Sequence, residues 1–420
     1  MSDPVTRRGF LGGLGALGAG AAVAAGGLAA CSKDDTATAV TAADSAAAAA
    51  RKAIVPFHGA HQAGIVTPAQ DRLVFAAFDV VTDDPKQLAD LLDRWSASAE
   101  AMAAGDLVPG GMSTPAVPPA DTGEAYGLNA STLTITIGFG PSLFDGRFGL
   151  AGKKPAVLED IPQLPNSPIQ DAISHGDICI QACADDPQVA FHAIRNLARQ
   201  GIGVVTNRYL QVGFGRTSST SESQATPRNL LGFKDGTANL KSEEKADVEK
   251  FVWVGDDTDQ RWMRGGSYLV SRKIAMHIEV WDHDTLDDQQ NVIGRAKDTG
   301  APLGSSSEFA PLDLTAKRPD GEPWIPADSH VRLASPEANG GIKLLRRGYN
   351  YTDGIDPALG NIEAGLFFIC FVSTPEHFTT VQRNLGFADS LNEYIQHISS
   401  GVFACPPGLA KGETWSKHLF

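Results

Sequence analysis

The stretch Gly-Phe-Lys-Asp-Gly-Thr-Ala-Asn at 232–239 sets one carboxylate, Asp235, in a glycine-bounded turn rather than inside a periodic element. Gly232 and Gly236 on either side would let the backbone approach a ligand closely, and a carboxylate held there can take up a proton and return it. Asp-Gly is also a common turn dipeptide, so the motif alone carries no function. Two later features change its weight: a single histidine, His330, in Asp-Ser-His-Val-Arg-Leu, and a basic pair, Arg346-Arg347. A histidine that can ligate iron, an arginine that can stabilise separating charge and a carboxylate that can shuttle a proton are the parts of a haem pocket with acid/base chemistry. Adjacent residues on a strand face opposite sides, so one arginine of the pair, and not both, can enter such a pocket.

Most of the ten histidines have plainer readings. His192 and His377 fall on helices, His277 on a strand, and His283 and His418 are expected at the surface. His58 and His61, three apart near the start of the folded region, are a candidate metal pair. Cys179 and Cys183 lie on one strand, where four residues span about 13 Å, beyond the roughly 4.4–6.8 Å between Cα atoms that a disulfide allows. No CxxC pair or zinc-like spacing appears, so the cysteines of the folded region read as buried free thiols. A formal net charge of −14 argues against nucleic acid as a partner.

The elements that must hold these residues begin after two processing segments. Thr6-Arg7-Arg8-Gly9-Phe10-Leu11 followed by an apolar Gly/Ala-rich run to Ala30 reads as a twin-arginine export signal over 1–30. It ends on Leu28-Ala29-Ala30-Cys31, which resembles a lipobox whose cysteine would carry lipid; ordinary signal cleavage nearby is the competing reading. That export route moves folded proteins, which suits a chain that takes up its cofactor first. Residues 31–51 form an Ala-rich tether. The remainder contains an internal echo. Gly176-Asp-Ile-Cys-Ile-Gln-Ala-Cys-Ala leads through Pro187 to Arg195-Asn196-Leu197, and Gly365-Leu-Phe-Phe-Ile-Cys-Phe-Val leads through Pro375 to Arg383-Asn384-Leu385. A duplicated unit explains it. Each half reads as strand, helix, strand, strand, helix, strand: 73–80, 85–104, 132–137, 177–184, 187–200 and 204–212, then 267–281, 286–296, 342–351, 366–372, 375–385 and 401–405. This is an α+β fold of tandem ferredoxin-like domains, 52–225 and 226–420, with a Pro/Gly/Ser-rich insertion over 299–336 that holds His330.

Five motifs in the same order then carry a resemblance: His-Gln-Ala-Gly-Ile at 61, Ile-Gly-Phe-Gly-Pro-Ser-Leu-Phe-Asp at 137, the 232–239 turn, His-Val-Arg-Leu at 330 and Leu-Arg-Arg-Gly-Tyr at 345. From about Val55 onward the chain resembles the dye-decolorizing peroxidases, and their exported, deferrochelatase-like (class A) branch most closely. The resemblance implies a haem b peroxidase that uses hydrogen peroxide to oxidise dyes, phenols or other one-electron donors, with the cofactor in the second half. It makes Asp235 the distal acid/base, Arg347 the distal arginine and His330 the proximal iron ligand. Gly236, Thr237 and Ala238 would line the haem, as would Ser335, Pro336 and Glu337, although relatives often carry Asn-Pro-Arg where this chain has Ser-Pro-Glu. Arg216 and Arg332 are propionate candidates on charge, and Leu366 and Phe368 would be distal walls. Glu393 is the expected carboxylate behind the histidine, with Asp389 as the alternative. Bulky donors would be oxidised through surface relays, for which Tyr349, Tyr351, Trp253, Trp262 and Trp281 are candidates. The second reading is a haem-handling lipoprotein or deferrochelatase that removes iron from haem for an uptake partner at the membrane.

Overall fold

The computed structural model describes residues 54–112, 115–163, 167–357 and 360–420, so the segments read as an export signal and a tether, with Cys31, lie outside the described residues. The apolar runs of the first half form β1 (Arg72–Val80), β2 (Thr134–Phe139) and β3 (Ile178–Ala184), buried almost throughout because both of their faces are covered. β4 (Val205–Arg216) alternates buried with exposed residues along its middle. Helix α1 (Pro85–Ala103) starts where Asp84 accepts from the Lys86 amide, with proline in the first turn, and buries Leu88, Leu91, Leu92 and Trp95 on one stripe. Helix α2 (Pro187–Gln200) repeats that start with Asp186.

The second half supplies β5 (Ser267–Met276), α3 (Leu286–Ile293), β6 (Leu345–Arg346), β7 (Tyr349–Ile355), β8 (Ile362–Val372), α4 (Pro375–Ala388), β9 (Ile395–His397) and β10 (Gly401–Cys405). Strands of the first half lie in the order β4-β1-β3-β2, and their equivalents in the second half in the order β10-β5-β8-β7. The duplication read from the echo is therefore also a duplication of strand order, and all these pairings are antiparallel. β2 pairs with β10 and β4 with β7, so the two four-stranded sheets close into one barrel with no free edge between them. Its interior is apolar and shared: Leu73, Phe75 and Cys183 meet Tyr349, Tyr351, Phe367 and Phe403. All four described cysteines are buried and free.

Two expected strands come out differently. The run 267–281 stops as a strand at Met276, where its partner β9 begins at Ile395, and Ile278–Trp281 closes into a helical turn. The run 342–351 is interrupted at Arg347 and Gly348, yet its register against β8 does not slip. Leu345 faces Phe371, Arg346 faces Cys370, the Arg347 amide donates to Ile369 O at 2.7 Å, and Tyr349 faces Phe367. Side-chain alternation therefore continues across the interruption. Leu345, Arg347, Tyr349 and Tyr351 point into the barrel, and Arg346 points outward on the face that carries Leu366, Phe368 and Cys370.

Candidate haem site

On that outward face lies a cavity of about 240 Å³, walled by the 231–238 loop, β5, β8, α4 and the turn that carries His330. The expected residues Asp235, Gly236, Thr237, Ala238, His330, Ser335, Pro336, Leu366 and Phe368 all line it. His330 opens a short helical turn, His330–Leu333, at the end of the insertion. Its Nδ1 lies 2.6 Å from Asp389 Oδ2, and 34 % of its side chain is exposed, toward the cavity. Burial works against a charge on this ring, but the Asp389 carboxylate outweighs it and holds the imidazole above its ordinary pKa. With Nδ1 taken up, Nε2 is the nitrogen free to bind a metal, and the carboxylate fixes both tautomer and ring orientation. The partner is thus the alternative carboxylate, Asp389; Glu393 is exposed and does not line the cavity. Asp389 ends α4 and caps the following turn by accepting from the Leu391 amide, so one oxygen is spent on structure and the other reaches the histidine.

Arg347 is also corrected. It is fully buried inside the barrel, where Nη1 donates to Thr67 O and Nη2 to Gln70 Oε1, both in the first half. Arg346 enters the cavity instead, with Nη1 2.5 Å from Asp235 Oδ1. Its backbone is held on the far edge by Asn239, whose amide accepts from Arg346 N at 2.7 Å and donates to Arg346 O at 2.9 Å. Asp235 is anchored by its amide to Pro227 O and by Oδ2 to Asn229 Nδ2 at 3.3 Å. Gly236 does adopt φ +91°, but an added Cβ would meet Ser218 Cα at 2.9 Å. The glycine thus serves the packing of the turn against the 217–219 backbone as well as lining the cavity.

The remaining expected contacts fall elsewhere. Glu337 is exposed outside the cavity. Arg332 donates to Leu314 O and Ile325 O, and Arg216 to Ala225 O; neither lines the cavity. His58 bonds Leu409 O and Glu100, and His61 bonds Gly265 O and stacks on Trp253, so they do not act as a pair. Among the described residues no group of three His, Cys, Asp or Glu side chains stands ready for a metal ion. His418, expected at the surface, is buried. Of the candidates for surface relays, Tyr349, Tyr351, Trp253 and Trp281 are buried and only Trp262 is partly exposed; Trp281 packs edge-on against Phe233, which lines the cavity.

Three groups escaped the sequence reading. Glu308, in the insertion, reaches back to Lys234 and to Thr237 Oγ1, one on each side of Asp235. Arg272 on β5 shares a face with Ile274, which lines the cavity, and lies 5.5 Å over the ring of Phe378, another lining residue. It is 1 % exposed, its Nε and Nη2 have no partner, and burial lowers it to about 10. Beside it His397, in the cavity wall, has an unpartnered Nδ1 and is pushed down to about 3 by burial, with Arg272 adding to the effect. A buried guanidinium with orphaned donors costs several kcal/mol unless an anion meets it. A carboxylate of a bound porphyrin is such an anion, so the residues present fit haem: a backed histidine on one wall, a carboxylate–guanidinium pair on another, and an unmatched cation beneath an apolar lining. No local pattern marks Arg272, whose setting arises from strand pairing.

Fold and cavity together describe a haem-binding oxidoreductase built on a duplicated ferredoxin-like barrel. Residues 62–215 match the model of the N-terminal domain of Dyp-type peroxidases, and residues 226–410 that of the C-terminal domain. The chain belongs to the Dyp-type peroxidase family, and it is accordingly a haem peroxidase with haem b as its cofactor. It is 39 % identical over 367 residues to the deferrochelatase of Escherichia coli K12, an alignment covering 86 % of this chain and 85 % of that one. Ferric DtpA from Streptomyces lividans is 38 % identical with a TM-score of 0.80, covering 87 % of this chain and 96 % of its own. The DyP-type peroxidase from Cellulomonas bogoriensis is 35 % identical with a TM-score of 0.78, covering 87 % and 98 %.

Proposed function

We propose that this chain uses hydrogen peroxide to oxidise bulky one-electron donors, with Asp235 as the acid/base group and Arg346 as its electrostatic partner. The reading rests on the 2.5 Å contact between Arg346 Nη1 and Asp235 Oδ1 in the cavity that His330 also lines. Haem, when bound, would supply the iron that takes up peroxide and the two electrons that cleave its O–O bond, which the one-electron donors then restore. His330 Nε2 would hold the iron and Asp389 would fix the ring. Arg272 and His397 would receive a propionate. Asp235 takes the proton from the inner oxygen of the peroxide and returns it to the outer one, which leaves as water. The Arg346 guanidinium stabilises the charge that separates as the O–O bond breaks, and Leu366 and Phe368 keep water scarce around it. A dye too large for the cavity would need a relay that reaches the surface, of which buried Trp281, packed on Phe233, would form only the inner step. Asp235→Asn should slow the peroxide reaction by about 10²–10⁴-fold in stopped flow. Undiminished reactivity would remove Asp235 from this role.

A second reading, removal of iron from haem for an uptake partner, is favoured by the 39 % identity to deferrochelatase over most of the chain. Release of fluorescent, metal-free porphyrin supports it, and oxidised donor with intact haem supports peroxidase chemistry alone. We further propose export by the twin-arginine route and lipid attachment at Cys31 to the outer face of the cytoplasmic membrane. Membrane fractionation of the parent against Cys31→Ala tests the anchor.

A further inference from the structure

We propose that Asn229 is the positioning residue that fixes the Asp235 carboxylate. The inference rests on Asp235 being the acid/base group, and it assigns to the asparagine a role that its place in a turn would not by itself require.

The amide of Asn229 has its orientation decided by the backbone around it. Its Oδ1 accepts from the Leu231 amide at 3.1 Å and from the Phe233 amide at 3.3 Å. Rotating the amide by half a turn would set NH₂ against two N–H donors and an oxygen against a carboxylate, losing every one of its bonds. Nδ2 is therefore the end that faces Asp235, and it donates to Oδ2 at 3.3 Å. The main chain of Asn229 is fixed too, donating to Phe233 O at 3.1 Å and accepting from Gly232 N at 3.0 Å.

Asp235 is thus gripped by donors from two separate elements. Arg346, on β6, takes Oδ1, and Asn229, at the base of the turn, takes Oδ2. One donor alone would leave the carboxylate plane free to pivot about the bond to Cβ, whereas two donors from different directions set it. Proton transfer depends on that plane, because the receiving lone pair must point at the peroxide oxygen, and a misplacement of about 1 Å can cost about 10²-fold in rate. Asn229 itself lines the cavity, as Asp235 and Arg346 do.

Asn229→Asp isolates this role from the turn. The new carboxylate keeps an oxygen for the Leu231 and Phe233 amides, so the loop retains its bonds, while the donor to Asp235 becomes an acceptor of like charge. The expected result has three parts. The haem-free melting temperature stays within a few degrees of the parent. The peroxide rate at neutral pH falls about 10–100-fold. The acid limb of its pH profile moves up by about one pH unit or more, because a neighbouring negative charge opposes ionisation of Asp235. Carboxyl ¹³C titration of Asp235 in the haem-free variant should move in the same direction, independently of turnover. Parental rate and acid limb would overturn the inference. A lower rate with an unmoved limb and unmoved carboxyl titration would overturn it equally, since distortion of the loop produces that outcome. Failure of the underlying reading is distinguishable: there Asp235→Asn itself retains the peroxide rate.

Discussion

Replacing Arg346 and Arg347 by leucine, one at a time, should separate chemistry from stability at adjacent positions. Arg346 is partly exposed, with 28 % of its side chain accessible, and its ion pair with Asp235 faces the cavity. Its loss should cost little folding free energy, under about 1 kcal/mol after solvent screening. The loss of its charge from the reacting centre should slow the peroxide reaction by about 10²–10³-fold, as removal of a single preorganised donor does elsewhere. Arg347 is fully buried and binds Thr67 O and Gln70 Oε1. Thr67 O keeps a second donor in Thr220 Oγ1 at 2.8 Å, so removal of the arginine orphans Gln70 Oε1 alone. One orphaned buried acceptor costs about 1–3 kcal/mol, and relief of an unpaired buried cation offsets part of the lost bonds. A net destabilisation of about 2–3 kcal/mol against an unfolding entropy of roughly 0.8 kcal/mol/K for a chain of this length lowers the melting temperature by about 3 °C. Stopped-flow mixing with peroxide and thermal melts of the haem-free proteins read the two effects. Parental peroxide reactivity in Arg346→Leu, or its loss in an Arg347→Leu protein that keeps its haem and its melting temperature, would refute the assignment drawn from strand register.

Three other outcomes follow from the same geometry. Asp389→Asn should weaken haem retention or the peroxide rate by about 10–100-fold, whereas Glu393→Gln leaves both unchanged; haem transfer to apomyoglobin measures the first, and equal effects would return the backing role to Glu393. Arg272→Leu should weaken binding of haem but not of its dimethyl ester, read by Soret titration of the haem-free protein, because the ester carries no carboxylate for the guanidinium to meet; equal loss for both would place Arg272 in packing only. Burial, reinforced by Arg272 and His330, depresses His397 to about 3, below its unfolded value of about 6.5. The fold therefore needs the neutral ring. Its stability contribution is complete above about pH 6.5 and declines as pH falls toward 3, by about 2 kcal/mol between pH 6.5 and 5. His397→Gln should flatten that decline in urea melts of the haem-free protein, and a variant that loses as much stability as the parent would contradict it.

The local chemistry of this protein is written in its sequence. Asp84 and Asp186 before prolines, apolar residues at helical spacing and the repeated Pro to Arg-Asn-Leu interval are short-range signals, and α1, α2 and the duplicated strand order follow from them. Asp235 and His330 stood out because a glycine-bounded carboxylate and a histidine in an insertion are unusual over a few residues. What the sequence left open was always a matter of direction. Two adjacent arginines present the same chemistry, and pairing with β8 decides that Arg346 shares the face of Leu366 and Phe368 while Arg347 enters the barrel. A partial signal existed: Leu345, Tyr349 and Tyr351 alternate as apolar residues, and Arg347 lies on their side. Asp389 and Glu393 are one turn apart, and their difference arises only where α4 ends and a cap must form. Arg272 has no sequence signature at all, since an unpaired buried guanidinium is defined by what β5, β9 and α4 fail to place beside it. The sequence determined which groups are present and which elements carry them; strand register and helix ends, set by contacts far apart in the chain, decided which of them face one another across the cavity.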